Sequence, residues 1–265
     1  MPTPFYHLVV ARKLLQRQEL SSQVVQLLRK NAGAYMLGNT APDVQTISGQ
    51  ARQATHFFEL PVTPDMRDPW EQMFAEYPAL RRLNRMDPGR AAFIAGYASH
   101  LLADWTWVKK IFNPYFGHDC RWGSLSERLY YHNVLRSYLD YQILPELTRY
   151  SPPEYAMEEV QPRNWLPFVQ DAHMEAWRDY LCEQLKPGAA MKTVEVFASR
   201  QGIPAEDYYR LLNSEDRMQQ EVFSHVSYQT LLDYQQALVD QNVLLLNQLN
   251  SARVQGSVWM PLHPG

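Results

Sequence analysis

Cysteine is nearly missing from this chain: 265 residues contain two, Cys120 and Cys182, far apart and in no CxxC pairing. That scarcity excludes a disulfide framework and a thiolate zinc site, so any bound metal must take its ligands from histidine, aspartate or glutamate. Long hydrophobic runs are missing too. No segment reaches the roughly 20 apolar residues of a membrane-spanning helix. The apolar stretch in "MPTPFYHLVVARKLL" is cut by Arg12 and Lys13 too early for a signal peptide, so a cytoplasmic location is expected. Positive charge is not in excess: 25 Lys and Arg against 28 Asp and Glu give a net charge of −3. Such a balance provides no field for nucleic acid or an anionic membrane surface, and no nucleic-acid partner is expected. Also absent are a Gly-rich phosphate loop, a GxSxG nucleophile elbow and a Cys–His nucleophile pattern.

What is present is apolar residues at the helical period, with little strand-like alternation. "FYHLVVARKLLQ" leads into a second pattern, "SSQVVQLLRKNAGAYMLGN", with Ser21 or Ser22 as its cap and Gly38-Asn39 as its end. A loop-like segment carrying Pro42 precedes a short helix into His56, and "DPWEQMFAEYPALRRLN" reads as a helix with Pro69 in its first turn. Ser124 and Glu127 form a capping box for the helix that follows them. After Pro145 the composition shifts, and Pro152, Pro153, Pro162 and Pro167 break residues 145–168 into short pieces. Helical patterns return at about 170–186, 188–200, 204–213 and 215–250. The expectation is an all-α, single multi-helical domain, with residues 1–145 as its core and 146–265 as further helices packing on it. The strongest apolar run, within about residues 90–110, should be the buried central helix.

Inside that run, "AFIAGYASHLLADWTW", stand His100 and Asp104, one helical turn apart. Positions i and i+4 share a helix face with β-carbons about 5–6 Å apart, so the two form either a hydrogen-bonded core pair or two ligands of one ion. Their company bears on the choice. His7, Asp43 and His56 each interrupt an apolar or turn setting where a neutral residue would cost less. Three histidines and two carboxylates on four segments are more than a core accommodates without a shared partner. Arg52, one turn before His56, either steadies a carboxylate of this group or is a solvated helix residue. Tyr97, Trp105, Trp107, Tyr130 and Tyr131 line a pocket or fill the core. His173, His225 and His263 stand alone and read as surface or satisfied core histidines.

The order His, Gly-Asn-x-Ala-Pro-Asp, Arg-x-x-Thr-His-Phe, Gly-Tyr-x-x-His-x-x-x-Asp resembles the zinc-dependent phospholipase C family over roughly residues 3–140. The resemblance implies the all-helical fold that this family shares with single-strand nucleases, and a phosphoester substrate, phospholipids included. It implies two zinc ions, with a third open. Asp43, His56, His100 and Asp104 correspond to the ligands of one zinc, Asp104 bridging to a second that His7 joins. In secreted members the mature N-terminal amine joins that second ion; here Met1 stands six residues before His7. For a third ion the matching residues are His118 and His132. The acidic position one turn after His132 is Arg136, with Asp140 a further turn on as its substitute. For the carboxylate that positions water, Asp119, Asp65 and Asp140 are the candidates. A zinc-activated phosphoester hydrolase is the leading expectation. The alternatives are a non-catalytic helical metal-binding or scaffold protein with a degenerate cluster, or a nuclease of the same superfamily. The oligomeric state is open.

Overall fold

Thr3 starts the first helix: its hydroxyl accepts from the Tyr6 amide, and Pro4 occupies the first turn of α1 (Pro4–Leu15). The structure is a computed structural model that describes residues 1–63, 65–149, 157–186, 188–189 and 192–255, so His263 lies outside the described residues. The second sequence pattern divides at Asn31, whose backbone (φ −125°, ψ 41°) separates α2 (Ser22–Lys30), capped by Ser21, from α3 (Ala32–Gly38). A 3₁₀ turn at Ala41–Val44 leads into α4 (Gln45–Ser48), followed by α5 (Gln53–His56) and α6 (Pro69–Glu76). Pro78 holds Tyr77 out of helical conformation and ends α6 earlier than the apolar pattern suggests. After α7 (Pro88–Trp107) the chain continues as wider π-type turns to Phe116. The Ser124–Glu127 capping box forms, with reciprocal bonds of 2.7 and 3.2 Å, and opens α8 (Leu125–Arg149). That helix runs through Pro145, where a change was expected. Beyond it lie α9 (Asp171–Leu185), α10 (Thr193–Gln201), α11 (Ala205–Leu212), α12 (Glu215–Arg217) and α13 (Tyr228–Gln255). The pattern at 215–250 is therefore not one helix; Ser227 caps a new start by accepting from the Thr230 amide at 3.1 Å. No strand occurs among the described residues, and the fold is all-α.

The core is built around α7. Every residue from Ala91 to Trp107 is buried, the signature of a helix surrounded on all sides. Helices α1, α3, α6 and α13 pack against it. Phe93, Tyr97 and Trp107 are fully buried, each contributing about 1.5–3 kcal/mol through removal of apolar surface from water. The tightest approach is to α3, and two glycines permit it. A β-carbon at Gly96 would lie 2.3 Å from the Tyr35 carbonyl oxygen, and one at Gly38 would lie 2.1 Å from that of Phe93. Backbone thus touches backbone at this crossing, which brings the Asn39 carbonyl to 2.8 Å from His100 Nδ1.

Candidate metal centre

Five side chains from four separate elements meet at one point. His7 comes from near the start of α1, Asp43 from the 3₁₀ turn, His56 from the last residue of α5, and His100 and Asp104 from α7. Phe57, in the left-handed region at φ 60°, ends α5 immediately after His56 and turns the chain away. The His7 and His100 rings stack at 3.8 Å, and His56 meets His100 edge-on at 5.4 Å. His7 Nε2 lies 3.4 Å from Asp104 Oδ1, His56 Nε2 3.4 Å from Asp104 Oδ2, and His56 Nε2 3.5 Å from Asp43 Oδ1. His100 Nε2 is 3.8 Å from Asp104 Oδ2. All four separations exceed the 2.7–3.2 Å of an N–H···O bond. His100 and Asp104 share a helix face without satisfying each other.

The unsatisfied atoms are the informative ones. His7 Nε2, His56 Nε2, His100 Nε2, Asp43 Oδ2 and Asp104 Oδ1 are buried and have no hydrogen-bond partner. A buried polar atom left in that state costs about 1–3 kcal/mol, so five converging ones call for a common partner. They fall into two overlapping groups, His7–His100–Asp104 and Asp43–His56–His100. In each, the ligand atoms lie within 4.8 Å of one another. Imidazole nitrogens with carboxylate oxygens and no thiolate make a donor set suited to zinc. The opposite ring nitrogens are engaged outward: His100 Nδ1 with the Asn39 carbonyl, and His56 Nδ1 with Thr55 Oγ1 at 3.0 Å. A carbonyl only accepts, so Nδ1 of His100 carries the proton and its Nε2 lone pair faces the centre.

The charge states agree with this geometry. Burial, reinforced by His100, lowers the His7 pKa to about 4, and burial likewise lowers His56 and His100. For Asp43, burial acts upward, but the neighbouring His56 and His100 imidazoles outweigh it and bring the pKa to about 2. Burial also acts upward on Asp104, where His100, His7 and Arg52 together hold the carboxyl well below its ordinary range. Neutral imidazoles beside ionised carboxylates are the protonation states a metal requires.

The cluster opens into a cavity of about 170 Å³ whose acidic lining residues are Asp43 and Asp104. Arg52 sits at its edge, with Nη2 donating to Asp104 Oδ2 at 2.6 Å and the guanidinium 4.5 Å from the Phe58 ring centre. Helices α9 and α10 supply the facing wall through residues that include Trp177, Thr193 and Phe197. The other sequence candidates do not join this cluster. Asp65 is exposed and accepts from Thr63 Oγ1; His118 and Asp119 are exposed on the segment before α8. His132 is buried among Phe112 and Phe116, and its Nε2 accepts from Trp107 Nε1 at 2.9 Å. Asp140 is buried between the Thr3 and Thr193 hydroxyls, both of which donate to it, and burial raises its pKa to about 7. The structure thus does not bring His118, His132 and Asp140 together. Tyr97, Trp105 and Trp107 are core residues, and Tyr130 and Tyr131 lie outside the cavity. His225 stacks on Trp122 at 3.6 Å. Sequence reasoning missed that Arg136, Lys192 and Arg200 line the cavity, because their placement depends on how α8 and α10 pack and on no local spacing.

Fold and site together define an all-helical protein with a buried histidine–aspartate cluster of the kind that holds divalent metal. The chain matches the zinc dependent phospholipase C family over residues 6–180, more than half of its length, and belongs to that family. Comparison with curated proteins and with solved structures gives no match. The family match extends past residue 140, where the resemblance was expected to end, and reaches Tyr180 on α9. Among the described residues no helix is long and apolar enough to cross a membrane.

Proposed function

We propose that this chain is a zinc-dependent phosphoester hydrolase in which His7, Asp43, His56, His100 and Asp104 hold two ions. The observation that carries the reading is the convergence of their five unpartnered, buried ligand atoms. Asp104 has one oxygen toward His7 and the other toward His56 and His100, and in this reading it would serve both ions. Zinc bound there would supply Lewis-acid polarisation of phosphate oxygens and a water acidified toward neutrality. The chain's own part is to orient. Asn39 fixes the His100 ring, Thr55 engages Nδ1 of His56, and Arg52 holds Asp104 by one oxygen. Two free thiols suit a reducing, cytoplasmic setting, which is part of the same reading.

A non-catalytic metal centre is the second reading. The observation favouring it is the Arg52–Asp104 ion pair, which partly neutralises the bridging carboxylate. One experiment separates the two. Zinc per chain is measured by elemental analysis, and hydrolysis of bis(p-nitrophenyl) phosphate is followed before and after chelation. Two zincs per chain with chelator-sensitive turnover is the expected result. Bound zinc without turnover of any phosphoester selects the second reading, and no bound zinc removes both.

A further inference from the structure

Three further cationic side chains line the cavity that the metal cluster opens into, without a carboxylate of their own: Arg136 on α8, and Lys192 and Arg200 at the two ends of α10. Among the described residues no carboxylate oxygen lies within 4 Å of any of the three, whereas Arg52 is paired with Asp104. Lys192 and Arg200 are exposed, and solvated surface cations need no partner. Arg136 is different. It is partly buried, with its guanidinium 4.2 Å from the Phe197 ring centre and Nη1 donating to Asn133 Oδ1 at 3.0 Å. Its Nε is buried and has no partner. A guanidinium has five N–H donors in a planar fork, and a buried one is expected to use them.

The charge balance indicates what is missing. Without metal, Asp43 and Asp104 already face four cationic side chains around the cavity, Arg52, Arg136, Lys192 and Arg200. Two divalent ions would make that lining strongly positive, with the half-buried Arg136 adding to the repulsion. Like charges confined in a low-dielectric space require an anion between them. We propose that Arg136 is the anion-recognition group of this cavity: it receives the phosphate of the substrate beside the histidine–aspartate cluster, so that the centre works with two metal ions and one guanidinium. The proposal rests on the hydrolase reading above and deepens it. It also narrows the substrate. A cavity of about 170 Å³ is well below the 300–1,000 Å³ that encloses a larger ligand. It therefore admits a compact phosphate head group, with the rest of the phosphoester lying outside its mouth.

The test is calorimetric titration of inorganic phosphate into the zinc-loaded and the chelated full chain, for wild type, Arg136→Met and Arg136→Lys. Zinc content and a melting curve are recorded for each. Zinc-loaded wild type should bind phosphate more tightly than the chelated chain. Arg136→Met should weaken that binding at least tenfold with zinc content unchanged, and Arg136→Lys should recover part of the loss as a point charge without the fork. Phosphate affinity within twofold of wild type in Arg136→Met overturns the proposal. If Arg136→Met fails to melt cooperatively, wild-type crystals grown with zinc and inorganic phosphate decide. A phosphate oxygen hydrogen-bonded to Arg136 supports the proposal, and a phosphate held by the metals alone overturns it. A wild-type chain that takes up no zinc removes the hydrolase reading by itself. Phosphate binding by that metal-free chain that still depends on Arg136 then keeps the anion site, and binding that does not depend on it removes the site as well.

Discussion

Asp104 is the residue on which most of the site's contacts converge, since His7, Arg52, His56 and His100 all face it. Asp104→Asn keeps its shape and removes its charge. In a plain core that change would cost about 1–3 kcal/mol and leave metal content alone. Here it should strip at least one zinc and lower phosphodiesterase turnover by at least a hundredfold. Elemental analysis beside a melting curve with and without chelator reads both, and a variant with wild-type zinc content and chelator sensitivity would contradict the bridging role. Asp140 makes a different prediction. Burial raises its pKa from an ordinary carboxylate value to about 7, so the folded chain holds this proton more tightly than the unfolded one. Its contribution to stability is fully present below about pH 4 and is lost as pH rises through about 7. Asp140→Asn removes that titration. The stability of wild type relative to the variant should fall between pH 4 and pH 8, by about 1–3 kcal/mol given one pKa unit per 1.36 kcal/mol and some relaxation. Denaturant melts at several pH values measure it, and parallel curves for the two proteins would show that Asp140 is ionised without penalty.

At the scale of elements, the crossing of α3 and α7 governs the centre. The close approach at Gly38 and Gly96 places the Asn39 carbonyl against His100 Nδ1, and that bond aims Nε2 inward. In Gly96→Ala the new β-carbon would meet the Tyr35 backbone oxygen at 2.3 Å, so the helices must separate. Overpacking of this kind costs about 1–3 kcal/mol. The variant should therefore lose stability and bind zinc at least tenfold more weakly, although residue 96 touches no ligand. Zinc titration of a chain confirmed as folded by circular dichroism checks this. Unchanged zinc affinity would mean that His100 is oriented without help from the crossing.

For the whole molecule, the centre ties α1, the 41–56 segment and α7 together, so metal should stabilise the entire domain. A ligand that binds only the folded state at a hundred times its dissociation constant contributes about 2.7 kcal/mol. For a chain of this size each kcal/mol moves the melting temperature by about 2–4 °C. Chelation should lower the Tm by roughly 5–10 °C, and added zinc should restore it; calorimetry with and without chelator reads the shift. A Tm indifferent to both would show that these residues hold no metal.

Much of this was legible in the residues themselves. The buried helix at 88–107 follows from an apolar run with no polar face, and the capping box at Ser124–Glu127 from local chemistry. Both depend on neighbours in sequence, where periodicity and hydrogen-bonding capacity act directly. His7, Asp43, His56, His100 and Asp104 could be picked out because a polar residue in an apolar setting is costly unless something compensates it. Only the tertiary structure decided which polar residues share a centre. His132 lies within the same chain segment as Arg136, yet Trp107 engages the imidazole as a core hydrogen-bond partner, while the arginine lines the cavity. Nothing in local spacing separates those outcomes. They follow from how α8 rotates against α7 and from where α10 closes the opposite wall, and both are settled by long-range packing.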